Sequence, residues 1–181
     1  EINKLSNALV EVPGYISKIL KMDDIFHKTA SSIKNAKNVL YIGRGTNYPV
    51  ALEGALKLKE ISYIHAEGYP AGEIKHGPIA LVEKGVPVIV IAPSDHLIDK
   101  TISNVEEVLS RGAKIIFISD KKGIKKINNK KITTICLPET HELISPILYS
   151  IPVQLIAYHT AVLKGTDVDQ PRNLAKSVTV E

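Results

Sequence analysis

Residues 87–92 have the sequence PVIVIA, a short run that is apolar on both faces and rich in β-branched side chains. Such a run is typical of a strand covered on both sides, as the strands of a parallel sheet are. Three further runs share this character, at residues 39–42 (VLYI), 114–119 (KIIFIS) and 132–137 (ITTICL). Together they predict a sheet buried between two layers of helices.

Segments with helical periodicity separate these runs. The spacing of apolar residues predicts helices over 49–65 and 97–111, and Ser94 and Asp95 are available to cap the second helix. Strand and helix therefore alternate, which favours a doubly wound α/β fold. In such folds the loops that follow the strands lie at the carboxyl edge of the sheet, where ligands bind.

The domain organisation predicted from the sequence is simple. The chain has 181 residues, of which 44% are hydrophobic, a length and composition that suit one compact domain. Residues 3–35 are predicted to be helical with an interruption at Pro13. We expect one domain over 1–165, followed by a polar tail over 166–181 that lies across it.

Cysteine content and the amino-terminal sequence bear on the cellular compartment. The single cysteine, Cys136, cannot form an intramolecular disulfide, so stability is expected to come from packing in a reducing compartment. The amino-terminal residues lack the basic and apolar regions of a signal peptide. We therefore expect a cytoplasmic protein.

Two features could suggest nucleic-acid or membrane binding, and we interpret both otherwise. The net charge of +4 comes from six lysines within 121–131, without interleaved aromatic residues, which favours a solvated loop over a nucleic-acid site. Residues 144–163 are long and apolar enough to span a bilayer. Because this stretch also contains prolines, His159 and other polar residues, we predict a buried or interface helix.

The sequence Gly43-Arg44-Gly45-Thr46-Asn47 lies between a predicted strand and a predicted helix. Its glycines permit close backbone approach, and the following helix could offer free amides to an anion. The place of the third glycine in a dinucleotide-binding fingerprint is taken by Tyr48, and a P-loop lysine is missing. A tight turn is favoured over a nucleotide site.

The helix predicted over 49–65 carries Glu53, Lys57 and Glu60 on one stripe. One interpretation is an ordinary surface ion pair, which stabilises a helix by a few tenths of a kcal/mol. The other is a carboxylate base held beside an ammonium group, as needed to move a proton next to a carbonyl. The spacing alone favours the surface pair.

Two further residues could carry chemistry. His76, at the end of a short helical turn, could be a general acid, a helix-end cap or a core residue. Its spacing from Glu73 suits a carboxylate-bridged metal, but a second such pair is missing and we predict no metal site. Lys176 could form an imine if it reached a site and lost part of its hydration. Five other histidines are interpreted as structural: His27, His65, His96, His141 and His159.

Three stretches carry a family resemblance: residues 52–67 (LEGALKLKEISYIHAE), residues 72–78 (GEIKHGP) and residues 167–181 (DVDQPRNLAKSVTVE). They resemble the glutamine–fructose-6-phosphate aminotransferase (isomerising) family. The match is to the second of two sugar isomerase (SIS) subdomains of the isomerase part, together with its catalytic tail. The resemblance implies a flavodoxin-like, mostly parallel five-stranded sheet flanked by helices.

The resemblance also implies roles for the candidate residues. Lys176 matches the lysine that forms an imine with fructose 6-phosphate, and Glu60 matches the base that moves a proton between the first two sugar carbons. His76 matches a ring-opening histidine that reaches the site from the neighbouring subunit. Lys57 matches a lysine beside the base, and Ala175 matches a position whose backbone touches the sugar. No cofactor is implied, because the imine acts as the electron sink, and a homodimer is expected.

The sequence also departs from the family pattern. A cysteine glutaminase and a first SIS subdomain with its Ser/Thr-rich phosphate loop are not found in these 181 residues, so we expect weak or no activity from the chain alone. The alternative is a non-catalytic SIS module that binds a sugar phosphate. The combination of Lys176 with Glu60 favours the enzyme, since a binding module has no need of an imine-forming lysine beside a base.

Overall fold

The computed structural model describes residues 2–127 and 129–172. Its centre is a five-stranded sheet with order β2-β1-β3-β4-β5, in which every neighbouring pair is parallel. This is the flavodoxin-like order, so the predicted doubly wound α/β fold is confirmed. The strands are β1 Asn38–Gly43, β2 His65–Pro70, β3 Pro87–Ile91, β4 Lys114–Asp120 and β5 Thr133–Leu137.

Helices cover both faces of the sheet. Short 3-10 turns occupy Gly45–Asn47, Ala71–His76 and Pro78–Leu81. The α-helices are α1 Ile2–Leu20, α2 Asp23–Ile33, α3 Tyr48–Ser62, α4 Ile98–Ser110, α5 Lys121–Lys126 and α6 Ser145–Lys164.

The core has two parts because side chains alternate along each strand. On one face, Tyr41 and Ile89 pack among residues of α1, α2, α3 and α6. On the other face, Ile42 and Val90 pack against α4 and the Ala71–His76 turn. Burial on both faces explains why the central strands were recognisable as continuous apolar runs.

Glycine brings α3 close to the sheet and to α6. A Cβ added to Gly54 would lie 2.6 Å from Cε1 of Tyr41 and 2.9 Å from Cβ of Val153. Both distances are shorter than real Cβ contacts allow, so only glycine fits without a shift of its neighbours. This contact fixes the position of α3, which carries Lys57 and Glu60.

Three local predictions differ from the structure. Pro13 lies inside a continuous α1, and the break between the first two helices falls after Leu20. The edge strand β2 was not predicted as a strand, because HAEGYP is polar and half-exposed. Part of the lysine-rich segment is the helix α5, capped by the side chain of Asp120, although its lysines are exposed as expected.

Helix α6 covers most of the apolar stretch 144–163. Among the described residues it is the one helix long and apolar enough to cross a membrane, judged by length and composition. Half of that stretch is buried, and Leu148, Val153 and Ile156 belong to the core. The predicted burial of this segment is therefore confirmed for half of it.

Candidate functional site

Helix α3 places an ion pair near its carboxyl end. The Lys57 ammonium Nζ lies 2.7 Å from Oε2 of Glu60, and the two side chains remain 36% and 26% exposed. The hydrogen bond to Glu60 is the largest of the influences that raise the pKa of Lys57. The carboxylate is therefore held next to a charged ammonium group while both stay accessible, an arrangement that can accept a proton and stabilise nearby negative charge.

Glu53, the third residue of the predicted stripe, has a different partner. Its Oε1 accepts a hydrogen bond of 3.0 Å from Nε2 of Gln154 on α6. Glu53 therefore ties α3 to α6, and Lys57 and Glu60 form the pair available for chemistry.

The segment after α6 returns to the carboxyl end of α3. Oγ1 of Thr166 donates to the carbonyl oxygen of Ile61 over 2.6 Å. Further along, the backbone N–H of Arg172 donates to the Tyr63 hydroxyl over 2.8 Å, and the Arg172 guanidinium lies 4.2 Å from the centre of the Tyr63 ring. The described part of the predicted tail thus lies across the domain, and it ends beside the helix end that carries Glu60.

Tyr63 is a site residue that the sequence did not reveal. It ends α3 in the left-handed conformation, with φ of 59°, which is uncommon for a residue with a side chain. The guanidinium of Arg172 lies over this aromatic ring. No local pattern signals the contact, because the partners are 109 residues apart.

His76 lies at the other end of the sheet. The Ala71–His76 turn follows the carboxyl end of β2, whereas Glu60 lies near the amino end of that strand. Six residues of strand span about 16 Å. The structure therefore does not bring His76 and Glu60 together within one chain. The separation arises because β1 and β2 are parallel, so α3 must run back to the amino end of β2.

The surroundings of His76 leave it open to an approaching surface. Its side chain is 59% exposed, and Nδ1 lies 2.9 Å from Oε2 of Glu73. The hydrogen bond to His76 is the main reason that the pKa of Glu73 is lowered. Ala71 and Ile74 are fully buried and anchor the turn. His76 is thus not a core residue.

Two of the candidate residues, Lys176 and Ala175, lie outside the residues that the structure describes. The remaining candidates have well-defined surroundings. Gly43–Asn47 forms a tight turn, in which Arg44 donates from Nε and Nη2 to Oδ1 of Asn104. His159 is buried and lies 2.7 Å from Asp23, as a structural residue would. Within residues 2–127 and 129–172, no group of three or more His, Cys, Asp or Glu side chains could hold a metal ion.

Comparison with known proteins defines the class. A model of the SIS domain matches residues 32–164, a stretch that runs from the end of α2 to the end of α6. The chain therefore belongs to the SIS domain family.

Particular relatives within that class are aminotransferases. The chain is 59% identical over 178 residues to glutamine–fructose-6-phosphate aminotransferase (isomerising) of Brucella abortus, covering 98% of this chain and 29% of the relative. The Bartonella henselae protein of the same name is 61% identical over 173 residues, with 96% and 28% covered. The chain thus spans less than a third of the length of these curated relatives.

Solved structures show the same relationship. The C-terminal domain of glucosamine-fructose-6-phosphate aminotransferase from Francisella tularensis superposes with a TM-score of 0.89 at 44% identity, covering 92% of this chain and 47% of that domain. A glucosamine-6-phosphate deaminase from Thermotoga maritima gives 0.69 at 26% identity, with 98% and 50% covered. This chain is therefore similar to about half of each of these two structures.

Proposed function

We propose that this chain provides the imine-forming and proton-transferring half of an isomerase that makes glucosamine 6-phosphate from fructose 6-phosphate and ammonia. The names of the relatives support the substrate class, and the Lys57–Glu60 pair supports the chemistry. Lys176 forms the imine, Glu60 moves the proton, and the backbone of Ala175 contacts the sugar.

In the proposed reaction, ammonia replaces the ketone oxygen of the sugar, which leaves as water, and a hydrogen moves from C1 to C2. The Lys176 amine attacks the C2 ketone of the open-chain sugar, and water leaves to give an imine. Ammonia then replaces the lysine at C2. Glu60 removes a proton from C1 and returns one to C2, so the C1 alcohol is oxidised to an aldehyde while the C2 imine is reduced to an amine. The Lys57 ammonium stabilises the negative charge that develops during this transfer.

The observation that carries this proposal is the contact between Tyr63 and Arg172. It brings the chain to the end of α3, three residues beyond Glu60. Lys176 follows Arg172 by four residues, which can span at most about 14 Å. From the position of Arg172, the remaining four residues are long enough for Lys176 to reach the neighbourhood of Glu60.

The separation of His76 from Glu60 supports a second element of the proposal. We place His76 in the ring-opening role at the site of a neighbouring subunit, in a homodimer. His76 is exposed on an anchored turn, as such a role requires. Sedimentation of the chain should then show a dimer, and a strictly monomeric chain at high concentration would count against this role.

Imine trapping tests the function directly. The chain is incubated with fructose 6-phosphate and reduced with borohydride, and the modified lysine is located by peptide mass. We expect an adduct on Lys176 that is lost in Lys176→Ala and retained in Lys164→Ala, the matched control on α6. Tyr63→Phe should lower the adduct yield, because it removes the hydrogen bond to Arg172. An adduct spread evenly over surface lysines would contradict the assignment of Lys176.

A chimera tests the proton transfer. This chain replaces the matching 178 residues of the Brucella abortus relative, and glucosamine 6-phosphate formation is assayed. We expect activity in the chimera, and we expect Glu60→Gln to abolish it while leaving the trapped imine in place. An active Glu60→Gln chimera would rule out Glu60 as the base.

A further inference from the structure

The loop after β1 places Arg44 between two elements that follow the neighbouring strands. The strand order here is β2-β1-β3, so the Ala71–His76 turn, which follows β2, lies on one side of Arg44 and helix α4, which follows β3, lies on the other. A Cβ added to Gly43 would lie 2.7 Å from the carbonyl carbon of Asn47, and Gly45 has a φ of 54°. The two glycines therefore permit the tight loop that carries Arg44.

On the side of α4, a buried amide holds the guanidinium of Arg44. Its Nε and Nη2 donate to the same oxygen, Oδ1 of Asn104, over 3.2 Å and 2.9 Å. Asn104 is only 4% exposed, and its Nδ2 donates to Oε2 of Glu107 over 3.2 Å. Both ends of this amide are thus bonded, and two bonds from different nitrogens fix the orientation of the guanidinium.

On the side of the turn, Gly72 packs against the same guanidinium. A Cβ added to Gly72 would lie 2.8 Å from Nη2, 3.1 Å from Cζ and 3.2 Å from Nη1 of Arg44. A side chain therefore does not fit there while Arg44 keeps its bonds to α4. Ala71 and Ile74 belong to the apolar core, so one polar and two apolar contacts hold the segment that ends at His76.

The charge of Arg44 also acts on the exposed end of the turn. Oε2 of Glu73 lies 2.9 Å from Nδ1 of His76. The pKa of Glu73 is lowered chiefly by this hydrogen bond with His76, and the positive charges of Lys75 and Arg44 lower it further. An ionised carboxylate can only accept hydrogen bonds, so Nδ1 of His76 is the donor and Nε2 is left for another partner.

We propose that Arg44 is a positioning residue for His76. This proposal rests on the ring-opening role given above to His76 at the site of a neighbouring subunit. Asn104 fixes the guanidinium, the guanidinium supports the turn at Gly72, and the turn presents His76 at one defined place on the surface.

Ring opening explains why the position of His76 matters. In this step the bond between C2 and the ring oxygen breaks, and the ring oxygen accepts a proton from His76 to become the C5 hydroxyl. The C2 hydroxyl gives up a proton to water as it becomes the ketone, and His76 recovers a proton from water. Such a transfer requires heavy atoms about 3 Å apart, and a displacement of about 1 Å can slow a reaction about a hundredfold.

Two sugars separate this role from a general effect on the fold. Fructose 6-phosphate closes into a ring through its C5 hydroxyl, whereas 5-deoxyfructose 6-phosphate lacks that hydroxyl and stays open. In the chimera with the Brucella abortus relative, Arg44→Met should lower kcat/KM for fructose 6-phosphate by about tenfold or more and leave that for the 5-deoxy sugar nearly unchanged. Gly72→Ala should have the same selective effect, because its new Cβ displaces the guanidinium or the turn.

Control variants define the limits of this selective effect. Arg111→Met makes the same chemical change at an exposed arginine at the carboxyl end of α4, and it should leave both sugars unaffected. His76→Asn should show the selective loss most strongly, whereas Glu60→Gln should abolish activity with both sugars. Equal losses with the two sugars in Arg44→Met and Gly72→Ala, or no loss with either, would overturn the positioning role.

Amide hydrogen exchange of the chain alone provides a measurement that does not depend on activity. We expect Arg44→Met to speed exchange at residues 72–76 several-fold, and Arg111→Met to leave it unchanged. An inactive chimera without these substitutions would count against the proposed function, and the exchange test of Arg44 would still stand. Unchanged exchange in Arg44→Met would overturn the proposal by itself.

Discussion

The two ends of the sheet present polar groups in contrasting states. At the amino ends of the strands, Lys57 and Glu60 are paired at 2.7 Å and remain accessible. At the carboxyl ends, Oδ1 of Asn47 and the hydroxyl of Tyr149 are buried and lack hydrogen-bond partners among the described residues. The accessible pair is suited to exchanging protons, whereas the buried oxygens are closed to solvent. Our proposal therefore places proton transfer at the end of the sheet where α/β folds do not usually bind ligands.

Disturbing α3 should have the largest effect, because this helix connects the two ends. Gly54→Ala places a methyl group within 3 Å of Tyr41 and Val153, and we expect it to lower the free energy of unfolding by about 1–3 kcal/mol. Urea denaturation measures the change. The matched control is Gly14→Ala on α1, where nothing lies within 4 Å of the new Cβ and a gain of up to about 1 kcal/mol is expected. Equal behaviour of the two variants would contradict close packing at Gly54.

Two aspartates at the carboxyl ends should respond in opposite directions. Burial acts to raise the pKa of Asp120, but hydrogen bonds from the backbone amides of Gly123, Ser94 and Lys122 outweigh it and lower that pKa. The pKa of Asp95 is raised, chiefly by burial. Asp120→Asn should therefore destabilise the chain by about 1–2 kcal/mol near neutral pH. Asp95→Asn should change stability less, because it removes the cost of a partly buried charge but also removes the acceptor for Nδ2 of Asn47.

The pH dependence follows from the same two shifts. Because the folded-state pKa of Asp120 is lowered, its stabilisation is present above about pH 4 and is lost as pH falls through the folded pKa. For Asp95, stability falls as pH rises from about 4 through its raised folded pKa. Unfolding measured between about pH 3 and pH 7 in both variants checks these signs. A loss of acid sensitivity in Asp95→Asn rather than in Asp120→Asn would reverse our assignment.

The smallest effect on stability is expected at the amino ends of the strands. Lys57→Gln removes a half-exposed ion pair, so unfolding should change by no more than about 0.5 kcal/mol. Since the pKa of Lys57 is raised, chiefly by the hydrogen bond to Glu60, this contribution should be present below about pH 10 and lost as pH rises through the folded value. Lys59→Gln, at an exposed neighbouring position, is the control for unfolding. Activity of the chimera should fall in Lys57→Gln alone.

The sequence predicted the parts of the fold that depend on local pattern. The runs at 87–92 and 114–119 were recognisable because their strands are buried on both faces, whereas the edge strand β2 has no such run. The Lys57–Glu60 pair was predicted because both residues lie on one helix. The contacts of Tyr63 with Arg172 and of Asn47 with Asp95 join residues far apart in the chain. Such contacts depend on tertiary packing and have no local signal.

Tyr63 ends helix α3 and also contacts Arg172, so one residue both terminates the helix and positions the tail. For the left-handed stop alone, glycine is the better residue, because it adopts positive φ without steric cost. Glycine would lose the aromatic ring and the hydroxyl that hold the tail. A screen for heat resistance would therefore favour glycine at this position, and a screen for catalysis would discard it. Variants that are to gain stability and keep the proposed activity should therefore retain Tyr63.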